Sequence, residues 1–341
     1  VSDYMIRKFS AWLSILTFVT VAHAAPSVKR PSLFGPDVIS GPAKDEDAAF
    51  TPNGKALYFF RSNGQDYDIM VSHLDGAHWS QPKIASFSGH WRDLEPAMAP
   101  DGSYLIFASS RPGTGGDKPI DGHWRGHIHP GRGGNLWRVN RQGDGWSKPI
   151  RLPDTVNRVD ATFSPTIARD GTLYFMAATG KAGRFQLYRS RFRNGRYQAA
   201  VLLPFTKGNS DGMDAAVAPD RSFIVFASTR SPAPPHTTNL FIAFRDNGWW
   251  GEPIDLGMEI GKFSPIELGL APDGHTLYFS SSRVVPITYP KSITASQKGL
   301  RQMQSWNNGN GNIWTVDLTP WLKLHSQGQG GHLPEAASRT P

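Results

Sequence analysis

Glu95-Pro96-Ala97-Met98-Ala99-Pro100-Asp101-Gly102-Ser103-Tyr104-Leu105-Ile106-Phe107-Ala108-Ser109-Ser110-Arg111 is the clearest of five copies of one phrase. The other copies start at Asp47 (followed by AAFTPNGKALYFF), Ser164 (PTIARDGTLYFMA), Asp214 (AAVAPDRSFIVFASTR) and Glu267 (LGLAPDGHTLYFSSSR). Their anchors Pro52, Pro100, Arg169, Pro219 and Pro272 recur about every 50 residues, with one gap of about 70, a period that fits a four-stranded propeller blade. Each copy parses alike. A small-residue strand runs into a Pro-Asp-Gly turn, where Pro presets φ and Gly accepts positive φ. An aromatic, β-branched strand follows, such as Leu57-Tyr58-Phe59-Phe60. A third strand (Asn135 to Val139, Asn239 to Ile242 or Asn312 to Val316) then leads to a tight turn carrying Asp75-Gly76, Asn194-Gly195 or Asn247-Gly248, favoured hairpin chemistry. An outer strand starts near Trp79, Trp146, Tyr197 or Trp250.

The fifth copy supplies no outer strand, since the chain leaves through Thr319-Pro320-Trp321. Pro36-Asp37-Val38-Ile39-Ser40, ahead of the first copy, reads as the missing strand. Exchange between the two ends closes the ring and removes two exposed sheet edges. The expected fold is therefore all-β: a β-propeller of five blades, each of four antiparallel strands, closed by an N-terminal strand. A sixth blade would need a repeat that the sequence does not contain.

The Pro-Asp-Gly turn, the Tyr-Phe-x-Ser-x-Arg strand and the Trp-x-x-Pro phrase resemble the PD40, or WD40-like, repeat. That repeat occurs in TolB-type periplasmic propellers and in envelope proteins with a peptidoglycan-binding domain. The resemblance covers about Asp37 to Leu324. It implies a periplasmic or secreted propeller that binds an envelope component. Neither the α/β domain that precedes the propeller in TolB-like proteins nor a peptidoglycan-binding domain is read in this sequence. Partners that depend on those domains are therefore not carried over.

Residues 1–24 read as a signal peptide, 25–324 as a single propeller domain and 325–341 as a disordered tail. Arg7-Lys8 precede an apolar stretch from Ala11 to Val21, and Ala22-His23-Ala24 is a small-x-small cleavage site. The apolar stretch is short for a bilayer span, so no transmembrane segment is expected after its removal. There is no Cys in the chain, hence no lipid-anchored Cys and no disulfide framework. The formal charge is +8, and losing Arg7, Lys8 and Asp3 leaves +7. Such a balance favours polyanions. For an exported protein the expected polyanion is an anionic glycan rather than nucleic acid; the plain alternative is a merely soluble basic protein.

Strand order puts the start of each first strand and the end of each second strand on one face of the disc, opposite the Pro-Asp-Gly turns. Asp47, Glu95, Ser164, Asp214 and Glu267 open the first strands. Asn63, Arg111, Thr179, Arg230 and Arg283 close the second. The third copy lacks both acid and Arg, so Glu95/Arg111, Asp214/Arg230 and Glu267/Arg283 are expected as structural ion pairs, because a lone buried charge is costly. Blade one keeps Asp47 without its Arg, with Asp45 and Glu46 beside it and Arg61 two residues before the partner position. That uncompensated cluster is a candidate cation, sugar-hydroxyl or acid–base site.

Two long insertions emerge on the same face. One carries His123, Trp124, His127 and His129; the other Tyr289, Arg301 and Trp306. Both are expected to lean over blade one, and long loops on a rigid scaffold commonly carry function. With Asp45, Asp47 and Glu95 they form the candidate binding set for an envelope protein or anionic glycan, while the turn face is expected to tolerate substitution. His123-x₃-His127-x-His129 matches no strong zinc signature, so no cofactor is expected, although a divalent cation stays open. No nucleophile elbow, zincin helix, phosphate loop or dinucleotide fingerprint occurs, and no catalytic residue is assigned. The leading reading is a non-enzymatic binding propeller. The alternative is a polysaccharide-active hydrolase or lyase, whose carboxylates would be scattered in sequence; some oligogalacturonate lyases resemble this repeat class and have a His-rich metal site. Asp47 and Glu95 with His127 or His129 are the candidates there. Converging acids and His in a deep pocket would favour the enzyme, and a shallow aromatic and basic groove the binding protein.

Overall fold

The computed structural model describes residues 29–328, apart from 114, 181–182 and 207–209. The expected signal peptide lies outside the described residues. Five separate antiparallel sheets stand around one axis, one for each copy of the repeat. Their innermost strands are Lys44–Phe50, Asp93–Met98, Thr162–Ile167, Gly212–Val217 and Ile266–Leu270. Each pairs with the aromatic second strand, and that pairs with the third, in simple up-and-down order. This is the five-bladed propeller that the repeat period demands.

The second strands form the buried layer. Phe59, Phe107, Phe175, Phe226 and Phe279, one from each blade, are all essentially inaccessible. Alternation along a strand sends successive side chains to opposite faces, so every second strand packs against both neighbouring blades and is apolar on both faces. The repeat aromatics of the outer strands latch one blade to the previous one. Trp146 of blade two donates its Nε1–H to Tyr58 Oη of blade one at 3.0 Å, and Trp250 of blade four meets Tyr174 of blade three edge-on at 6.3 Å.

The ring closes at the N-terminal side, as expected, but with a different segment. Ser32–Leu33 pairs antiparallel with Asn312–Asp317, Ser32 opposite Thr315 and Leu33 opposite Trp314. Pro36 to Ser40 is not the strand. Gly35, at φ 53°, turns the chain, and the amides of Ile39 and Ser40 both donate to Gly35 O. The resulting loop drives Ile39 into the seam, fully buried. Phe34 completes the joint: it donates its backbone N–H to Ile313 O at 2.9 Å. Its ring lies within 6.1 Å of Phe50 and 6.0 Å of Trp79 in blade one, and 5.0 Å from Tyr278 in blade five.

The first residues of the tail expected from residue 325 are helical, and the tail beyond residue 328 lies outside the described residues. A helix covers Thr319–Ser326 and buries Trp321. His325 stacks on Phe244 of blade four at 3.9 Å and lies 3.2 Å from Asp246. Among the described residues no helix is long and apolar enough to cross a membrane.

Candidate functional site

Every innermost strand has the same defect. Its register against the second strand slips between Glu46 and Ala49, Leu94 and Ala97, Phe163 and Thr166, Met213 and Ala215, and Ile266 and Gly269. Within each slip one residue takes a left-handed conformation: Asp47 (φ 64°), Glu95 (53°), Ser164 (50°), Asp214 (45°) and Glu267 (50°). A bulge adds one residue to its strand and re-aims a side chain. Non-glycine residues pay of order 1–2 kcal/mol for this region. Repeated around the axis, the bulges gather four carboxyls and one hydroxyl inside the ring.

The expected ion pairs are therefore not formed. Arg111 meets Asp93, two residues before Glu95, with its Nη2 at 2.8 and 3.0 Å from the two carboxylate oxygens. Arg230 is bound instead to Ser228 Oγ and the carbonyl of Phe205, and Arg283 to the carbonyl of Lys262. The bulge is the reason, because it turns the acid at its crest away from the blade whose Arg was to receive it. In blade one Arg61 neutralises Asp45 at 2.6 Å. Asp45 also accepts the Gly41 amide at 2.9 Å, so it is a structural residue.

The Arg111–Asp93 pair is buried on both sides. Burial pushes Asp93 up to about 6, opposed by the neighbouring guanidinium. Replacing Arg111 by Ala is expected to cost about 3–5 kcal/mol, because it strands a buried carboxylate. The double change Asp93→Asn/Arg111→Ala should cost less in urea unfolding. A double variant clearly less stable than the single would refute this pairing.

The axial carboxyls are held by backbone rather than by cations. Glu95 accepts the Ser164 amide of the next blade at 2.7 Å. Asp47 accepts the Ala48 amide at 2.6 Å, while its own amide donates to Ser280 Oγ at 2.9 Å. Burial raises Asp214 to about 6, opposed by the Glu267 N–H and the Ser164 hydroxyl. Among the described residues, Asp214 Oδ1 and Glu267 Oε2 are buried without any hydrogen-bond partner. Burial, then mutual repulsion, raises Glu95 and Glu267 as well. Asp47 is pushed up to about 8 by burial, with Asp214 and Glu46 adding repulsion.

A cavity of about 190 Å³ runs along the axis from Asp47, at its inner end, to the turn face. Phe50, Met98, Thr166, Val217 and Leu270 form its wall, and Pro52, Pro100, Arg169, Pro219 and Pro272 its rim. The innermost strands of blades one and five come so close that a Cβ at Gly269 would lie 2.1 Å from Ala48 O. Drug-sized sites run to about 300–1,000 Å³, so this one has room for a single sugar ring or one side chain.

Both insertions on the opposite face touch blade one through residues outside the candidate set: Arg132 Nη2 donates to Gly64 O at 3.1 Å, and Asn308 and Asn310 donate to Pro42 O at 2.9 and 2.8 Å. In the blade-two insertion, Gly122–Trp124 and His127–His129 form a hairpin in which His123 faces Ile128 and His127 faces Trp124. Alternation puts His123 on one side of that ribbon and His127 with His129 on the other. His123 Nδ1 lies 2.6 Å from Asp160, and His129 stacks on Trp124 at 3.8 Å. Trp124 packs on Phe163 and Phe185, and Arg125 reaches Asp211 at 2.8 Å, so the hairpin lies over blade three. Among the described residues no group of three or more His, Cys, Asp or Glu side chains is placed to hold a metal ion.

In the blade-five insertion Trp306 is half-buried, edge-on to Trp314 at 6.2 Å. It is thus part of the blade. Tyr289 is exposed, and Arg301 lies on the helix Ile293–Met303, which buries none of its residues. The candidate set is thus divided. Asp47 and Glu95 reach the axis, Asp45 and Trp306 are structural, His123, Trp124, His127 and His129 sit over blade three, and Tyr289 and Arg301 face solvent. Asp214 and Glu267, read from sequence as ion-pair members, are axial. The shared acidic character of four copies at one repeat position was the signal for them.

No model of a known family matches the chain, and no curated protein matches it. Similar solved structures include TolB from Acinetobacter baumannii, with 16% identity and a TM-score of 0.43 over 70% of this chain. The chain spans 49% of that TolB. A putative TolB from Agrobacterium tumefaciens has 17% identity and a TM-score of 0.37, covering 68% of this chain and 88% of its own length. A thermostable family-43 glycoside hydrolase has 13% identity and a TM-score of 0.48, covering 84% and 91%. Its structural neighbours are thus TolB-like and other β-propeller proteins, and the five blades stand on the chain's own sheets.

Proposed function

We propose that the protein is an exported, non-catalytic propeller of the periplasm or cell exterior that binds an envelope component, protein or glycan, in its axial cavity from the turn face. The observation that supports this is Asp47, which lines the inner end of the cavity and whose Oδ1 accepts the Ala48 amide. A carboxyl has acceptor capacity beyond one amide, and a hydroxyl or ammonium group of a ligand in the cavity can donate to it. The expected ligand presents one such group at its tip. A glycan array and an envelope-protein pull-down on the mature chain, with and without divalent cations, test this. Asp47→Asn and the cavity-filling Met98→Trp should each weaken binding at least tenfold, with Trp124→Ala and Arg301→Ala unchanged. The reverse pattern would move the site to the insertion-bearing face and defeat the proposal.

One observation favours the alternative, a polysaccharide hydrolase or lyase. Asp214 receives two hydrogen-bond donors that lower it, whereas repulsion from Asp214 and Asp47 further raises the buried Glu95. Environments that push two carboxyls apart are what an acid and a base require. Release of reducing ends or unsaturated products from a polysaccharide panel, abolished by Glu95→Gln, would establish that reading in place of the first.

A further inference from the structure

The turn of blade four departs from its repeat. Where the other copies have Gly54, Gly102, Gly171 and Gly274 at positive φ, this one has Arg221, at φ 65°. Strain of that kind persists where surrounding structure holds it, and clusters at functional positions. Arg221 projects into a group of arginines at the junction of blades three and four. Arg189 comes from the end of the third strand of blade three, Arg184–Ser190, with Arg191 just past it, and Arg245 from the end of the third strand of blade four. Burial lowers Arg189, and the positive charges of Arg191, Arg245 and Arg221 lower it further. The carboxylate paired within this group is Asp170, 2.8 Å from Arg221. Beside them a groove of about 270 Å³ is lined by Arg189, Arg191, Arg193 and Gln198.

The donors here outnumber the acceptors. Among the described residues Arg191 Nε, Arg245 Nε, Tyr174 Oη and Trp250 Nε1 are all buried with no partner. Tyr174 and Trp250 are in edge-on contact at 6.3 Å, and the Arg245 guanidinium lies 5.9 Å from the Trp250 ring. Buried polar groups are almost always paired, and guanidinium forks match the oxygens of phosphate and sulfate.

We propose that this junction is an oxyanion site, which takes a phosphate or sulfate group carried on an anionic polysaccharide. It does not rest on the axial cavity, and Asp47→Asn leaves it intact. Arg221→Gly is the informative variant, because it restores the repeat's own residue at a backbone angle that suits glycine. It should fold with an unchanged or higher thermal midpoint and yet bind more weakly. Isothermal titration uses heparin as the sulfated probe, polygalacturonate as the carboxylate probe, dextran as the neutral one, and inorganic phosphate and sulfate alone. Heparin should bind, dextran should not, and both Arg221→Gly and Arg189→Gln/Arg191→Gln should lower heparin affinity at least tenfold. Arg301→Gln, on the opposite face, should change it less than twofold. Saturation by inorganic phosphate or sulfate at the same affinity as heparin supports the site and makes the free ion its occupant. Equal losses for Arg301→Gln and Arg221→Gly would mean that net charge alone attracts the polymer, and would overturn the proposal. Full heparin affinity in Arg221→Gly and Arg189→Gln/Arg191→Gln would overturn it as well.

Discussion

Removing Pro31 to Phe34 is expected to lower the thermal midpoint by roughly 10 °C or more. The segment supplies the strand that closes blade five, through Ser32 and Leu33. Its loss frees the outer edge of Asn312–Asp317 and the bonds from Phe34 N–H to Ile313 O and between Ser32 Oγ and Thr315 Oγ1. At about 1 kcal/mol per net hydrogen bond, and about 2 kcal/mol for a half-buried Phe, the total is about 4–5 kcal/mol. A domain of this size loses about 2–4 °C per kcal/mol. Phe34→Ala alone should show about half of the effect, because it keeps the backbone pairing. Scanning calorimetry of the two variants checks this, and an unchanged midpoint in the deletion would contradict closure at Ser32–Leu33.

Stability should fall as pH rises from about 5 to 8. Asp47 has its folded-state value pushed to about 8, against an ordinary 3.8, and Glu95 and Glu267 are raised too. Between the unfolded and folded values the native chain holds more protons than the unfolded chain. Raising pH therefore favours unfolding. The contribution is fully present below the unfolded values and is lost as pH rises through the folded ones. Each fully shifted group loses up to about 1.4 kcal/mol per pH unit, so several kcal/mol separate pH 5 from pH 8. Glu267→Gln should flatten the profile and stabilise the protein at pH 8. Urea unfolding across this range measures it, and stability that is level or rising with pH would refute a protonated axial ring.

The blades were legible because each repeat states its own hydrophobic alternation and turn chemistry, and both are local. The closing strand was legible in principle and misplaced in register. Pro36 to Ser40 contains Val38 and Ile39 and looks like a strand, but Gly35 turns it into a loop that buries Ile39. The ion pairs failed for a different reason. A bulge adds a residue without any mark in the composition, so the acid opposite the Arg became Asp93 instead of Glu95. The left-handed angle at five equivalent non-glycine positions appears only in three dimensions. The arginine junction was hidden because its members come from two repeats and several strands. Only the Arg in place of Gly at 221 stood out along the chain.

The seam has a kinetic meaning as well. Ser32 and Thr315 are 283 positions apart, whereas among the described residues every other ladder joins neighbours within one repeat. Closing so large a loop carries the entropic penalty of a highly non-local contact. The blades can thus assemble in sequence while the joint forms last. Until it does, Asn312-Ile313-Trp314-Thr315-Val316-Asp317 presents a naked edge of high β-propensity. A second chain carries the matching Pro31-Ser32-Leu33-Phe34 segment. At high concentration the same joint that closes the ring is therefore the point at which two chains would exchange strands.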